Sequence, residues 1–362
     1  MAFENIIIIF LQFLPLFVIL KVSLRTFSFE KEIHYFMISK KLNLNLKYNL
    51  NDYYHVVIQK SYVRDLYIYA LQLRHKQTDI VVTRTLRNIG RDVECKKSPQ
   101  LLLTGKAGGH TQTWEYAGNG YWLVGTKPQY NGHYWDIQIA RVKFPMFGTK
   151  KYTSNTQIPR LSHLNQAGSG YGDDTVAYNG KYLKRVEATV SPDYQRLLIA
   201  TIDTNNNGYF ALYDLNEVNT KLDEIGHGNV RIDDLKCLGA FKIDNFVNDD
   251  STQGFPSVQG YGLDEKNNVY VSCQPSPTSN GVGTPRELVK IPWGNTNPDQ
   301  WQCANFDNAS ILDMPGFYSE FEGIQVIDSN KLYLTVSYHD SNASDLETDT
   351  HRIYEVTGFN EH

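Results

Sequence analysis

The sequence predicts an all-β protein, a five-bladed β-propeller of four-stranded antiparallel blades. Apolar strand segments recur 56–75 residues apart and begin at Leu66, Trp122, Leu197, Val269 and Leu332. Each belongs to a meander of short strands whose turns are rich in Asp, Asn, Ser and Gly, residues that favour tight backbone reversal. A supersecondary unit repeated in this way indicates copies arranged around an axis.

The third repeat shows the pattern most clearly, with a first strand over residues 186–190 and a second over 196–201. Regularly spaced short strands also occur in sandwiches, but repetition of a whole meander favours a propeller. Residues 215–222 predict one turn of helix in a loop. The pattern predicts third strands over 136–142, 209–215, 287–291 and 352–356, and fourth strands over 238–243 and 301–306.

The last repeat lacks an outer strand, because its third strand is followed at once by Gly358. Residues 42–48 alternate apolar and polar side chains with the period of a β-strand. We predict that this segment completes the last blade and closes the ring, which removes an exposed sheet edge. Residues 42–362 then form a single propeller domain.

Residues 1–37 form an apolar leader, in which residues 6–22 are almost wholly hydrophobic. No Lys or Arg precedes this run and no small-x-small cleavage motif follows it, so it is an unusual signal peptide. Three interpretations stay open: an upstream extension of a frame that starts at Met37, an uncleaved anchor or signal, and a core helix. An uncleaved leader would provide a membrane contact through residues 6–22.

Composition excludes several functional classes. The 35 basic and 39 acidic residues leave a net charge of −4 without a basic patch, which argues against a nucleic-acid partner. Four cysteines without CxxC spacing predict neither a zinc site nor a disulfide framework, although one pair such as Cys273–Cys303 stays open.

One segment has the spacing of metal-binding oxygens. Residues 203–208, with Asp214, match an EF-hand calcium loop. The flanking segments are strands rather than helices, so we interpret the run as a β-turn. We therefore predict no metal and no cofactor.

Polar residues recur at one position of the repeat. Gln112, Glu187, Gln259 and Glu322 lie ten residues before their second strands, and His55 lies eleven before the first. Equivalent positions converge on the axis, so all five should form a ring at the channel mouth, with His55 joining if its hairpin has one extra residue. Such a ring could bind a ligand, or its members could satisfy one another's hydrogen bonds.

The run over residues 105–115 is predicted to rim this mouth, through Gly108, Gly109, His110 and Trp114. The glycines allow close approach of a ligand or a tight crossing between blades. His110 could act as a base, but no GxSxG, HExxH or P-loop motif accompanies it, so a loop anchor is favoured and no catalytic residue is assigned. Glu320 and Glu322 share a strand face, which is a weak signal for a glycosidase.

Several stretches between about residues 41 and 359 carry a family resemblance. They are residues 69–74, 107–115, 138–142, 159–162, 190–194, 198–201, 243–245, 324–325 and 333–336. Taken together and in this order, they resemble the helveticin J family of large, heat-labile bacteriocins of lactic acid bacteria, whereas the leader is foreign to the family. The resemblance implies a secreted protein that kills related bacteria; it does not imply a catalytic triad.

On this basis we expect a secreted, extracellular bacteriocin that binds the envelope of related Gram-positive bacteria and kills or inhibits them. The expected target is a cell-wall polymer or surface glycan, bound by an aromatic and polar face around the channel mouth. An uncleaved leader would make the protein membrane-associated. Two alternatives stay open: a polysaccharide hydrolase using Glu187, Glu322 and His110, and a lectin-like module that does not kill.

Overall fold

Five separate β-sheets, one for each repeat, confirm the predicted five-bladed propeller. The computed structural model describes residues 37–360, except 88–89, 96–97, 127–136, 173–181 and 249–253. The predicted leader therefore lies outside the described residues, apart from Met37.

The strands are short and follow one another in meanders. The first twelve are β1 (Ile38–Ser39), β2 (Asn43–Asn51), β3 (Ile58–Val63), β4 (Tyr67–Arg74), β5 (Asp79–Leu86), β6 (Asp92–Glu94), β7 (Leu101–Leu103), β8 (Trp114–Gly118), β9 (Tyr121–Thr126), β10 (Gln138–Lys143), β11 (Lys150–Tyr152) and β12 (Arg160–Ser162). The remainder are β13 (Leu183–Val190), β14 (Arg196–Asp203), β15 (Gly208–Asp214), β16 (Asn229–Arg231), β17 (Cys237–Ile243), β18 (Val258–Leu263), β19 (Val269–Cys273), β20 (Glu287–Ile291), β21 (Gln302–Asn305), β22 (Phe317–Asp328), β23 (Lys331–Asp340) and β24 (Thr348–Thr357).

Each blade runs outward from an innermost strand. The blades, numbered by repeat, have the orders β3-β4-β5-β7-β11, β8-β9-β10-β12-β16, β13-β14-β15-β17, β18-β19-β20-β21-β1 and β22-β23-β24-β2-β6. The innermost strands β3, β8, β13, β18 and β22 contact one another around the axis.

Four blades carry a fifth, parallel strand that the sequence did not predict. In blades 1, 2 and 5 the next repeat supplies it, as β11 beside β7, β16 beside β12 and β6 beside β2. In blade 4 it is β1, which pairs with β21 just before the chain enters blade 5. These segments have only two or three residues, too few for an apolar alternation to show.

The outer position of blade 5 is filled by β2, the segment expected to close the ring. It pairs antiparallel with β24, Leu44 opposite Val356 and Leu50 opposite His351. Leu44 and Leu46 pack on the blade-5 core, and Leu50 is 1% exposed. An N-terminal strand, β2, and the last strand, β24, are thereby joined in one sheet.

Helices are few among the described residues. The helix α1 (Leu215–Ile225) follows β15, and the Asp214 carboxylate caps it by accepting from the N–H groups of Asn216 and Glu217. It extends past the single turn expected because Val218 and Leu222 bury its inner face. Short 3₁₀ turns span Gly105–Ala107, Leu164–Gln166, Ile232–Asp234, Pro298–Gln300 and Ser310–Leu312.

The calcium-like run is a β-turn, as its flanking strands predicted. The Asp203 carboxylate accepts hydrogen bonds from the backbone N–H groups of Asn205 and Asn207, and from the Asn207 amide and the Tyr209 hydroxyl. Asp264 repeats this arrangement in blade 4 with Asn268 and Tyr270. The oxygens that a cation would need are already used within each hairpin.

All four cysteines are free thiols, so the Cys273–Cys303 pair that the sequence left open is not formed. Both lie on strands of blade 4 that flank β20, Cys273 opposite Glu287 and Cys303 opposite Val289. Burial raises the pKa of each thiol. Neutral, buried thiols of this kind behave as small apolar side chains.

A protein that begins at Met37 should melt at the same temperature as the full chain. Met37 itself packs against the core with Phe246 and Trp301, so a protein that begins there keeps this contact. A protein that begins at Lys40 should be less stable, because it loses the pairing of β1 with β21. Differential scanning calorimetry of the three proteins would contradict this account if the Met37 protein melted well below the full chain.

Candidate functional site

A cavity of about 500 Å³ opens on the axis at the face where the innermost strands begin. All five blades contribute to its wall, through Gln59, His110, Arg185, Gln259 and Glu322 in blade order. A concave site of this size with converging polar groups has the dimensions of a small-ligand pocket. The start of each innermost strand is therefore the position of the candidate site.

Four of the five predicted ring residues meet here. The Gln112 amide Nε2 donates to Gln259 Oε1 at 3.1 Å and to Glu322 Oε2 at 2.9 Å. The backbone N–H of Gln112 donates to Glu187 Oε1 at 3.1 Å. Equal offsets in the sequence thus correspond to one shared height on the axis, while the ligand-binding role of the ring stays a prediction.

His55 does not join the ring, so that part of the expectation is corrected. Its imidazole Nδ1 lies 3.7 Å from Asp349 Oδ1, and its side chain is 48% exposed. The first hairpin is shorter than assumed rather than longer, because Val63 at the end of β3 pairs directly with Ile68. A residue eleven before Leu66 therefore lies ahead of β3.

Gln59 occupies the ring position of blade 1. It is skipped by the β3–β4 ladder, where Ile58 and Lys60 pair on either side of it. Gln259 is skipped in the same way between Val258 and Gly260. Gln59 lies nine residues before Ile68, and a search tolerant of turn length would have found it.

The Gln59 side chain has no hydrogen-bond partner among the described residues, although the residue is only 7% exposed. The amide atoms of Gln59 are not shut off from the cavity, so solvent reaches them. This amide therefore lines the cavity with its donor and acceptor both available to a ligand.

Arg185 holds the floor of the cavity together, and nothing in the repeat pattern pointed to it. Its guanidinium donates to Glu187 Oε1 at 3.3 Å, to the Gln259 carbonyl at 3.2 Å and also to Gln112 Oε1. Glu187 accepts further bonds from the hydroxyls of Thr111 and Thr113. Glu187 and Gln112 do not line the cavity, and their side chains are hydrogen-bonded to other protein groups.

Glu322 lies in the cavity wall, and its carboxyl group has a shifted pKa. Burial, and then the negative charge of Glu320, raise the pKa of Glu322 well above its usual value. The Gln112 amide takes one carboxyl oxygen, Oε2. The shift favours the neutral acid, and a neutral acid has an O–H to donate.

Glu320 and His339 form an ion pair on the same wall, with 2.8 Å between Glu320 Oε2 and His339 Nε2. Burial opposes a charge on the ring, but the hydrogen bond to Glu320 and its negative charge together raise the pKa of His339. The other Glu320 oxygen accepts from the Ser276 hydroxyl. Among the buried charged groups of the wall, Glu320 and His339 are thus paired with each other.

Of the four residues predicted to rim the mouth, only His110 lines the cavity in the described part of the chain. Burial, then Arg185, lower the pKa of His110 to about 3, which leaves the ring neutral. Trp114 is buried and stacks on Trp122 at 4.5 Å, so it belongs to the core. A Cβ on Gly108 would lie 2.2 Å from the Thr78 carbonyl oxygen, so this glycine allows a tight crossing of blades; Gly109 is also buried.

The aromatic face expected around the mouth is absent from the described wall. Apart from its two histidines, the wall consists of amides, charged groups, two serine hydroxyls and aliphatic or proline side chains. The aromatic residues lie instead between blades, as in the cluster of Tyr69, Trp122 and Phe144. Tyrosine-rich composition reflects packing here more than ligand binding.

Fold and cavity define a β-propeller with a polar pocket on its axis. A family model described as bacteriocin helveticin-J matches residues 38–360. Bacteriocin helveticin-J of Lactobacillus helveticus is 39% identical over 331 residues, which cover 86% of this chain and 95% of that protein. The chain belongs to the helveticin J family of bacteriocins, as the resemblance indicated.

Two solved structures share the general shape at low similarity. The WD40 domain of Toxoplasma gondii coronin is 10% identical, with a TM-score of 0.34, over 87% of this chain and 78% of that chain. A putative glycoside hydrolase from Bacteroides ovatus is 12% identical, with a TM-score of 0.39, over 81% and 84%. Scores this low carry no functional implication. In the described part of the chain, no helix has both the length and the apolar character needed to cross a membrane.

Proposed function

We propose that this protein is a secreted bacteriocin that binds a glycan or cell-wall polymer on related Gram-positive bacteria and kills or inhibits them. Membership of the helveticin J family supports the bacteriocin role. The Gln59 amide, which faces the axial cavity without a partner among the described residues, is the observation that carries the binding role.

The chemistry of the wall favours an uncharged, hydroxyl-rich ligand. The Arg185 guanidinium is hydrogen-bonded to Glu187 and Gln112 at the floor of the cavity. Glu320 is hydrogen-bonded to Ser276 and His339. Of the buried groups in the wall, the Gln59 amide and the Glu322 carboxyl are left for a ligand. Lys184, which donates to Asn206 Oδ1, and the exposed Asp345 also line the cavity. Neutral donors and acceptors match the hydroxyls of a sugar better than a phosphate or an ammonium group, which would need an opposite charge.

A hydrolase is the second candidate, and the state of Glu322 favours it. A carboxyl of raised pKa beside an ionised one is the usual arrangement of a general acid with its partner. Glu320 would be that partner, because Glu187 does not reach the cavity wall among the described residues. The two functions need different things from Glu322: a hydrogen bond for binding, a transferable proton for hydrolysis.

The substitution Glu322→Gln distinguishes the binding function from the hydrolase function. The amide keeps the neutral hydrogen-bonding character and the bond to Gln112, so the variant should fold normally and kill sensitive lactobacilli as the wild type does. A hydrolase would lose about a hundredfold or more in activity, since general acid catalysis contributes that much. Killing is read beside release of reducing ends from isolated cell walls. Loss of both in the folded variant, with release by the wild type, would contradict the binding function.

A further inference from the structure

The loop between β10 and β11 exposes two large apolar side chains to solvent. Met146 is 74% exposed and Phe147 is 86% exposed. Lys143, which ends β10, pairs with Tyr121 at the β8–β9 hairpin. Gln112 precedes the other end of β8, so this loop lies on the face opposite the axial cavity.

Neighbouring hairpins on that face add further apolar side chains. Leu66 is 63% exposed and Leu86 is 56% exposed, at the β3–β4 turn and the end of β5. The β13–β14 turn adds Tyr194, which is 40% exposed. Exposed apolar patches of this kind mark interaction surfaces. We call Leu66, Leu86, Met146, Phe147 and Tyr194 the basal patch.

The exposed tip is held in place by its base. Phe144 packs edge-on against Tyr69 at 5.1 Å, and Arg84 Nη2 donates to the Met146 carbonyl at 2.8 Å. On the other side, the Thr149 hydroxyl donates to the Pro99 carbonyl at 2.9 Å. Both ends of the loop are thus anchored, and Phe147 is displayed at little further cost in conformational entropy.

Positive charge surrounds the tip. Lys143, Lys150 and Lys151 are all exposed and flank Met146 and Phe147 on both sides. Arg64 and Arg87 lie by the blade-1 turn, with Asp65 as the acidic residue between them, and Asp193 lies by Tyr194. An apolar tip within a collar of lysines is the pattern of segments that bind anionic lipid surfaces.

We propose that the basal patch docks on an anionic lipid bilayer, with Met146 and Phe147 inserted among the headgroups and the lysines bound to lipid phosphates. A second copy of the chain is less compatible, because the same lysines would face each other across a symmetric contact. The proposal uses different residues from the cavity, so it stands or falls separately from the proposed function.

The test places a tryptophan at the tip of the full chain, as Phe147→Trp, and measures its quenching by brominated lipids. The matched control is Ile311→Trp, which replaces a 42% exposed apolar residue in the turn before β22, on the cavity face. Vesicles of phosphatidylglycerol should quench Trp at 147 and leave Trp at 311 unchanged, and phosphatidylcholine vesicles should bind weakly. Lys150→Glu with Lys151→Glu should lower partitioning about tenfold or more.

Three results would overturn the proposal. Trp at 147 could stay unquenched on anionic vesicles. Quenching could be equal at 147 and 311, which would show that another segment brings the chain to the membrane. Sedimentation could show self-association that Phe147→Ser abolishes without any change in vesicle binding, which would make the patch a contact between copies.

Discussion

Lys60→Met should lower the free energy of unfolding by about 3–5 kcal/mol, the range for breaking a buried ion pair from one side. Lys60 Nζ contacts Glu115 Oε1 on the axis, and the two side chains are 2% and 4% exposed. The substitution leaves the Glu115 carboxyl buried without a cation. Urea unfolding at neutral pH measures the loss.

The same pair gives two controls. Burial raises the pKa of Glu115 even though Lys60 opposes the shift, so without Lys60 this pKa should rise further. A raised folded pKa means that stability is present at acid pH and is lost as pH rises through that value. The deficit of Lys60→Met should therefore shrink on acidification, and Lys60→Met with Glu115→Leu should recover most of it. A deficit that is independent of pH would contradict a role for the charge.

Removing residues 42–51 should abolish the soluble monomer. The deletion leaves β24, a ten-residue strand, as an open edge on blade 5 and strips Leu44, Leu46 and Leu50 from two cores. Open edges of this length pair with other chains. Size-exclusion chromatography should show aggregates in place of a monomer.

A synthetic peptide of residues 42–51 should restore the monomer when added during refolding, because strand addition can supply the missing pairing. The matched control is a peptide of the same composition whose alternation of apolar and polar residues is scrambled. A monomeric, thermally stable deletion protein without peptide would show that the ring does not depend on β2.

The fold was readable from the sequence because its signals are local and repeated. Residues 42–48 alternate with period two, and that alternation, together with the missing outer strand of the last repeat, placed β2 outside β24. The fifth strands were missed because β6, β11 and β16 have three residues each, and their pairing is decided by the neighbouring blade. The length of α1 was underestimated because its second half is stabilised by burial of Leu222 rather than by a sequence signal.

The site was only half readable. Gln112, Glu187, Gln259 and Glu322 were found because equal offsets give equal heights. Gln59 was missed and His55 wrongly included because one short turn shifted the count. Equivalent positions also differ in role. Glu187 accepts a hydrogen bond from Arg185, a residue outside the repeat pattern, whereas Glu322 faces the cavity.

The most direct test of the central claim is the binding of Gln59→Leu to sensitive cells. Leucine fills the same space without an amide, and Gln59 has no partner among the described residues, so thermal stability should be unchanged or higher. We predict that labelled Gln59→Leu loses about tenfold or more of wild-type binding to sensitive lactobacilli, and loses killing in proportion, because a donor and an acceptor that face the cavity are removed. A folded Gln59→Leu protein that binds and kills at the wild-type level would show that the axial cavity is not the binding site.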